Sequence, residues 1–436
     1  MGAQPLWIET HAIAKSTLVR TRLGPSPRYP GSAMEPSPSL PPGVAFMNGP
    51  HGTCPTCSVP GRALYSVARV PSTSNVLFHT QAEARAVPMG ALELATCDTC
   101  GLLWNAAFDE SLVDYREGYE ETQSFSPTFR SWLDATAGEI AQEHQLEGKL
   151  VVEIGCGKGE FLASLCAASG ARGLGIDPSA SAGRVDLSSG AGLEFLLEPV
   201  GNIKPINDVE LIVCRHTLEH ILRIGPFLRE IERACSPHTP LLIEVPDLTR
   251  VLAEGAFWDL YHEHATYFTP GSLARWIRSM GRPVQTLGRV YSDQNLMLFS
   301  DPGRPDDLQL QGESPIEQRR ALDQFNQQAK ESMARTSSLL NKIHAGGGTS
   351  VLWGAGSKAT GLLVTLAVED QVAAVVDINP DKTGSHIAGT GHRVIGPGEL
   401  QEIKPDLVLV MNSLYCDEIS ASLKAMGLAP RIEALS

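Results

Sequence analysis

The chain has 436 residues, a formal net charge of −14, and 42% hydrophobic against 19% charged residues. That length exceeds one ordinary hydrophobic core and predicts two or three domains. The acidic balance, without a basic stripe, excludes a partner recognised through nucleic-acid phosphates. No apolar run approaches the length of a membrane span and the N-terminus lacks a signal-peptide core, so a soluble cytoplasmic protein is expected.

Residues 1–48 are rich in Pro, Ser and Gly and are expected to be a disordered extension. Cys54-Pro-Thr-Cys57 and Cys97-Asp-Thr-Cys100 follow. Nine cysteines that include two C-x-x-C pairs favour metal over disulfides in a reducing compartment. Two thiolate knuckles make a closed tetrahedral zinc site with no open position, so its role would be folding. Four buried free cysteines or a redox pair are the alternatives. Short strands over 63–67, 75–78 and 90–96 suit a small zinc-binding domain spanning 49–125. Tyr115 and Tyr119 lie among acids and hydroxyls without apolar period and read first as surface packing. Ser126 to Glu143 has the spacing of an amphipathic helix through Phe129, Trp132, Leu133 and Ile140.

Leu150-Val-Val-Glu153-Ile is an apolar run that breaks into Gly155, Gly157 and Gly159, after which Phe161, Leu162 and Leu165 resume at helical spacing. Strand, glycine turn and helix open a doubly wound α/β sheet, whose ligands sit beyond the carboxyl ends of the strands. Glu153 places a carboxylate beside the turn, and a second apolar stretch ends in Asp177, about twenty residues on, where such folds hold ribose hydroxyls. Glu160 stands where a dinucleotide fingerprint has its last glycine, so no pyrophosphate cradle is implied. The turn could also be structural or bind another nucleotide. The pattern resembles motif I of class I S-adenosylmethionine-dependent methyltransferases, a Rossmann-like fold. That resemblance implies Glu153, Gly155, Gly157, Gly159 and Asp177 as cofactor-binding residues and residues 126–300 as the core.

Alternating strands and helices continue through Leu211 to Cys214, Pro226 to Cys235 and Pro240 to Pro246. His216-Thr-Leu-Glu219-His220 emerges at a strand's carboxyl end. It also spells the inverted zinc-protease motif H-x-x-E-H, here without an evident third ligand. His220 either faces substrate or is packed. Tyr261-His262-Glu263-His264 offers two chemistries. Adjacent His-Glu-His is poor geometry for one metal ion, whereas a neutral imidazole is a competent base at cellular pH. A carboxylate beside it can hold one tautomer, and a tyrosine hydroxyl can stabilise an enolate oxygen. A polar interdomain loop is the bland reading.

Residues 301–348 read as a connecting helix, Ile316 to Ile343, closed by Gly346-Gly-Gly. Residues 349–436 then repeat the opening theme as a second Rossmann-like domain. A strand ends at Trp353, Gly354-Ala-Gly356-Ser-Lys358-Ala359 fits G-x-G-x-x-A, and the next strand ends at Asp377. This turn could bind NAD, hold the nucleotide half of a substrate, or carry no ligand.

Zinc knuckles, methyltransferase core, Tyr-His-Glu-His stretch and second nucleotide fold stand here in one order. That order resembles the three-domain C-methyltransferases acting on nucleotide-linked 4-keto deoxysugars, from about Cys54 to the C-terminus. The resemblance implies structural zinc on Cys54, Cys57, Cys97 and Cys100, and S-adenosylmethionine as methyl donor. It implies proton abstraction beside the ketone by His264, with Glu263, Tyr261, His220 and Tyr119 beside it. Gly354, Gly356, Lys358 and Asp377 would meet the nucleotide-linked sugar. Met411-Asn-Ser-Leu-Tyr415 lacks a tryptophan expected near the last strands, which leaves the acceptor open: a non-sugar molecule of secondary metabolism or polysaccharide synthesis is the alternative. An NAD-linked oxidoreductase and a non-catalytic scaffold are the rivals from other classes. The expected partner is a small-molecule acceptor, with no nucleic acid and no membrane, and the chain a monomer or weak homo-oligomer.

Overall fold

The computed structural model describes residues 40–113, 119–179, 192–310 and 314–435, which three β-sheets organise. The first sheet holds β1 (Val44–Phe46), β2 (Pro50–Thr53), β3 (Pro60–Pro71), β4 (Met89–Thr96) and β5 (Leu103–Asn105), all antiparallel. Val44–Phe46 falls within the stretch assigned above to the disordered extension. It pairs instead with Tyr65–Val67, because Val44 finds the apolar cluster under β3. The strand expected at 75–78 is not formed; Val76 and Phe78 make single bridges to Tyr119 and His386.

The second sheet is the methyltransferase-like core. Its strands are β6 (Leu150–Ile154), β7 (Arg172–Ile176), β8 (Leu193–Leu196), β9 (Val209–Arg215) and β10 (Leu241–Pro246), with β11 (Thr266–Tyr267) returning to pair with β5 of the first sheet. β12 (Thr286–Val290) and β13 (Asn295–Ser300) complete the order β12-β13-β10-β9-β6-β7-β8, in which only β13 runs antiparallel to its neighbours. β6 and β9 are buried on both faces, so they read as continuous apolar runs rather than alternating ones. Before the sheet, α1 (Pro127–Glu143) starts where the Ser126 hydroxyl accepts from the Phe129 amide and Pro127 takes the first turn. α2 (Glu160–Ser169) follows the glycine turn, α3 (Ile224–Cys235) leads to β10, and α4 (Leu248–Glu254) follows it.

The expected connecting helix is α5 (Pro315–Ala345), opened by a Ser314/Glu317 capping box. It does more than connect. Leu322, Phe325, Ala329, Met333 and Leu340 share one face and are buried in a cluster that reaches Tyr65 of the first sheet and Leu362 of the last domain. That last domain has β14 (Ser350–Trp353), β15 (Ala374–Val376), β16 (Val394–Ile395), β17 (Leu407–Val410) and β18 (Arg431–Ala434), with α6 (Ser357–Leu366) after the glycine turn. The strands are parallel in the order β16-β15-β14-β17-β18, a second doubly wound sheet. No described helix is long and apolar enough to cross a membrane.

Candidate active site

In the core the strand order reverses between β6 and β9, which is where a doubly wound sheet opens a crevice. Gly155 ends β6 there with φ +69°, and a Cβ on it would lie 1.9 Å from the Thr217 hydroxyl after β9. Only glycine suits both the left-handed backbone and that approach. Asp177 receives the Gly157 amide at 2.8 Å on one carboxylate oxygen and the Ser179 amide at 2.7 Å on the other. The Ser179 hydroxyl donates to the same carboxylate at 2.6 Å, which leaves one acceptor position open on the oxygen that takes the Gly157 amide. Glu153 is 3% exposed and burial pushes its carboxyl up to about 8, with Arg215 opposing. One of its oxygens is buried without a hydrogen-bond partner among the described residues. An orphaned acceptor and a glycine-walled turn fit a ligand such as S-adenosylmethionine.

The loop after β9 carries the turn Leu218–His220, with Thr217 against the core glycine turn and Glu219 and His220 gathered beside His264. The H-x-x-E-H stretch is therefore not on an α-helix, as a protease site would need. His216 gives Nε2 to Glu244 at 3.2 Å and Nδ1 to Glu219 at 3.4 Å, which raises its affinity for a proton. His216 is also exposed at its edge, so solvent screens part of that effect. His220 instead donates Nδ1 to the Glu263 carbonyl at 3.1 Å, and its ring stands 4.8 Å from His264, nearly perpendicular.

The structure separates the two histidines of the Tyr-His-Glu-His stretch. His262 is fully buried, holds the Ala91 carbonyl through Nδ1 at 2.8 Å, and lies so close to Gly90 that a Cβ there would meet its ring at 2.5 Å. It docks the loop on β4. His264 is half-buried, walled by His220, by Tyr261 at 4.7 Å and by Tyr267 at 5.8 Å between ring centres. Burial pushes its imidazole down to about 3, so it is neutral at working pH.

Two expectations for its neighbours are corrected. The Glu263 carboxylate does not hold the His264 tautomer. It accepts from the Ser74 hydroxyl and from Tyr119 at 3.4 Å, and burial raises its pKa. Successive loop residues point apart, so sequence neighbours need not be partners. The Tyr261 hydroxyl donates to Asp259 at 2.9 Å, which engages the proton an enolate oxygen would want. Tyr119, read first as surface packing, is brought to the site; Tyr115 lies outside the described residues.

The last domain closes the cleft. A cavity of about 260 Å³ is lined by Asn75, Tyr261, Gly354, Gly356, Lys358 and Asp377, among others. The Ser357 hydroxyl lies 2.7 Å from that of Ser74 and accepts the Asn75 amide at 3.0 Å, and Lys358 pairs with Asp259 at 3.5 Å. All four substrate-binding residues expected from the sequence thus face one cavity. Sequence reasoning missed Ser74, Asn75, Asp259, Ser357 and Glu120, since no motif marks them. Glu120 is 2% exposed and accepts from Lys158 of the donor turn at 2.5 Å and from Asn379 at 3.1 Å.

Apart from the cleft, Cys54, Cys57, Cys97 and Cys100 present four sulfurs within 4.8 Å of one another, with Cys54 and Cys100 at 3.7 Å. Ligands about 2.3 Å from a tetrahedral zinc stand roughly 3.8 Å apart, so the set fits that ion. The Cys100 sulfur also pulls the Cys54 thiol down to about 5.

Comparison with known proteins agrees with this layout. A methyltransferase domain family matches residues 128–287, and a C-methyltransferase C-terminal domain family matches residues 309–429. The C-methyltransferase NovU of Streptomyces niveus is 24% identical over 350 residues, covering 75% of this chain and 81% of that protein. The ubiquinone biosynthesis O-methyltransferase of Cupriavidus pinatubonensis is 27% identical over 202 residues, 41% of this chain and 76% of that protein. A Burkholderia thailandensis 1,6-didemethyltoxoflavin-N1-methyltransferase structure overlaps 40% of this chain and 80% of its own at 17% identity and a TM-score of 0.33, too slight a likeness to bear on function.

Proposed function

We propose that this chain, an S-adenosylmethionine-dependent methyltransferase, methylates a carbon beside a ketone, and that the acceptor is a nucleotide-linked 4-keto-deoxysugar held between the core and the last domain. One observation carries the reading. The short turn after β9 touches the core glycine turn through Thr217 and reaches His264 through His220, and Tyr261, which walls His264, lines a cavity shared with the second glycine turn. Core turn, base and a nucleotide-type cradle are thereby linked through neighbouring side chains. When bound, S-adenosylmethionine supplies an electrophilic sulfonium methyl group.

His264 takes the proton from the acceptor carbon, leaving its electron pair on the enolate. Neutral imidazole is the form required, and burial keeps it so. His220 is oriented by its bond to the Glu263 carbonyl and faces the sugar. Lys358 and the turn at Gly354 and Gly356 meet the nucleotide part. The C-methyltransferase family match covers that same turn, which supports an acceptor role for it over NAD-linked oxidation. Zinc on the four cysteines ties β2 to β5 and takes no part in the reaction. Removing it with a chelator should lower the melting temperature, and an unchanged melting temperature would count against a metal there.

The test mixes protein, methyl-labelled S-adenosylmethionine and a panel of nucleotide-linked 4-keto-6-deoxysugars. Label should enter the sugar, and in heavy water without methyl donor the proton beside the ketone should exchange. His264→Ala should abolish both while leaving affinity for S-adenosylhomocysteine nearly intact. Loss of that affinity instead would show the residue is misplaced, and donor binding without label or exchange would move the acceptor outside these sugars.

A further inference from the structure

A base pushed as low as His264 binds a proton poorly unless a negative charge waits beside it. Asp259 is engaged by Arg250 at 2.5 Å, Tyr261 at 2.9 Å and Lys358 at 3.5 Å. The Glu263 carboxylate faces Ser74 and Tyr119. Glu244 lies one layer down, holding Arg215 at 2.5 Å, His216 at 3.2 Å and Asn295 at 2.7 Å. His220 is a like-charge competitor when protonated, and Tyr261 and Tyr267 are neutral walls.

Glu219 remains. It is 2% exposed, and His216 holds one of its oxygens at 3.4 Å. The other oxygen is buried with no hydrogen-bond partner among the described residues. Acceptor-type atoms of Glu219, His220 and His264 lie within 4.8 Å of one another. A buried carboxylate oxygen without a partner is destabilising until a donor or a positive charge reaches it. The His216 partner keeps the carboxyl ionised, lowering its proton affinity against the opposing effect of burial.

We infer that Glu219 is a positioning residue for the reaction, the counter-ion to the imidazolium formed when His264 takes the acceptor's proton. In that step the C–H bond breaks, its electron pair stays on the acceptor as the enolate, and the new N–H bond, on the nitrogen facing the acceptor, leaves a positive charge spread over the ring beside the Glu219 carboxylate. The carboxylate is not consumed; its attraction to the ring is small while the imidazole is neutral and grows as positive charge develops in the transition state. This inference rests on the base role of His264 given above, and it adds a residue whose sequence neighbours suggested a protease.

The experiment titrates the His264 imidazole by NMR in histidine-labelled protein, for the native chain, Glu219→Gln and Glu219→Asp, with the signal assigned by His264→Gln. Exchange of the acceptor proton in heavy water is followed across pH in the same proteins. Glu219→Gln should lower the His264 pKa by about one unit or more, move the acid limb of the exchange profile to lower pH, and slow exchange roughly tenfold or more. Glu219→Asp should recover part of each. A purely structural Glu219 would change the melting temperature or S-adenosylhomocysteine affinity and leave the His264 titration where it was, which overturns the inference. So would Mn²⁺ binding, seen by paramagnetic resonance, that Glu219→Gln abolishes, since the trio would then be a metal site. Exchange that survives His264→Ala would instead overturn the underlying base assignment, so the two failures are distinguishable.

Discussion

The two glycine turns of this chain are built alike. Gly155 donates its amide to the Ile176 carbonyl at 2.8 Å, and Gly354 to the Val376 carbonyl at 2.8 Å. Asp177 and Asp377 each end the second strand of their sheet, and each accepts one amide from its own glycine turn and one from two residues on, all between 2.7 and 2.8 Å. The acid that a sequence reader assigns to a ribose is therefore first of all a clamp on its own turn. What differs is the surroundings. The core turn is pressed on by Thr217 and has the buried Glu153 at its strand's end, whereas the second turn follows the apolar Leu352 and Trp353 and faces an open cavity. One backbone device serves a tight site and a roomy one.

The largest effect should come from testing that difference directly. Gly155→Ala forces a side chain into the left-handed region and onto Thr217, at a combined cost of about 2–5 kcal/mol. Affinity for S-adenosylhomocysteine should vanish in calorimetry and the melting temperature should drop. Gly356 has φ −126°, and a Cβ on it would meet nothing nearer than Asn75 at 3.7 Å. Gly356→Ala should therefore fold within about 0.5 kcal/mol of the native chain and bind the donor normally. Equal damage from the two substitutions would mean that the turns are not tight and roomy as described.

Much of this was legible in the sequence. Both turns, both acids, the helix capped by Ser126 and the cysteine knuckles depend on residues close together in the chain, where spacing fixes geometry. The rest depends on which surfaces meet. Ser74 and Glu263 are 189 residues apart and Asn75 and Ser357 are 282 apart, the first pair brought together beside the β5–β11 pairing and the second where the first sheet and the last domain share a core with α5. Nor could spacing distinguish His262 from His264, since one turns into β4 and the other toward His220 and Tyr261. The H-x-x-E-H stretch was visible but misleading, because its backbone leaves β9 through His216 at φ +46° and never becomes an α-helix.

A smaller effect sharpens the comparison at the clamps. Asp177→Asn keeps the shape but removes the charge that receives two amides, and hydrogen bonds to a charged group contribute about 1.5–3 kcal/mol. Donor affinity should fall roughly ten- to a hundredfold. Asp377→Asn should leave donor affinity alone and raise KM for the acceptor. A loss of donor affinity in both variants would show that the clamps act on overall stability rather than each on its own site.

The smallest effect lies where the turns are joined. Lys158 belongs to the donor turn, Asn379 belongs to the loop that Asp377 holds, and both donate to the same oxygen of Glu120. Lys158 and Asn379 are each largely buried, so neither finds water easily if that oxygen is lost. Glu120→Gln leaves a carbonyl for one donor and removes the charge that suits Lys158, which should cost about 1–3 kcal/mol of stability. The informative quantity is a coupling. If Glu120 transmits strain between the turns, Asn379→Ala alone should weaken S-adenosylhomocysteine binding, although that residue sits in the other domain. In a double-mutant cycle the two losses should then fail to add by about 0.5–3 kcal/mol, because once Glu120 has changed, Asn379 has nothing left to transmit. Strict additivity would leave the two turns as neighbours that share a carboxylate without sharing energy, and the likeness between them would be one of architecture alone.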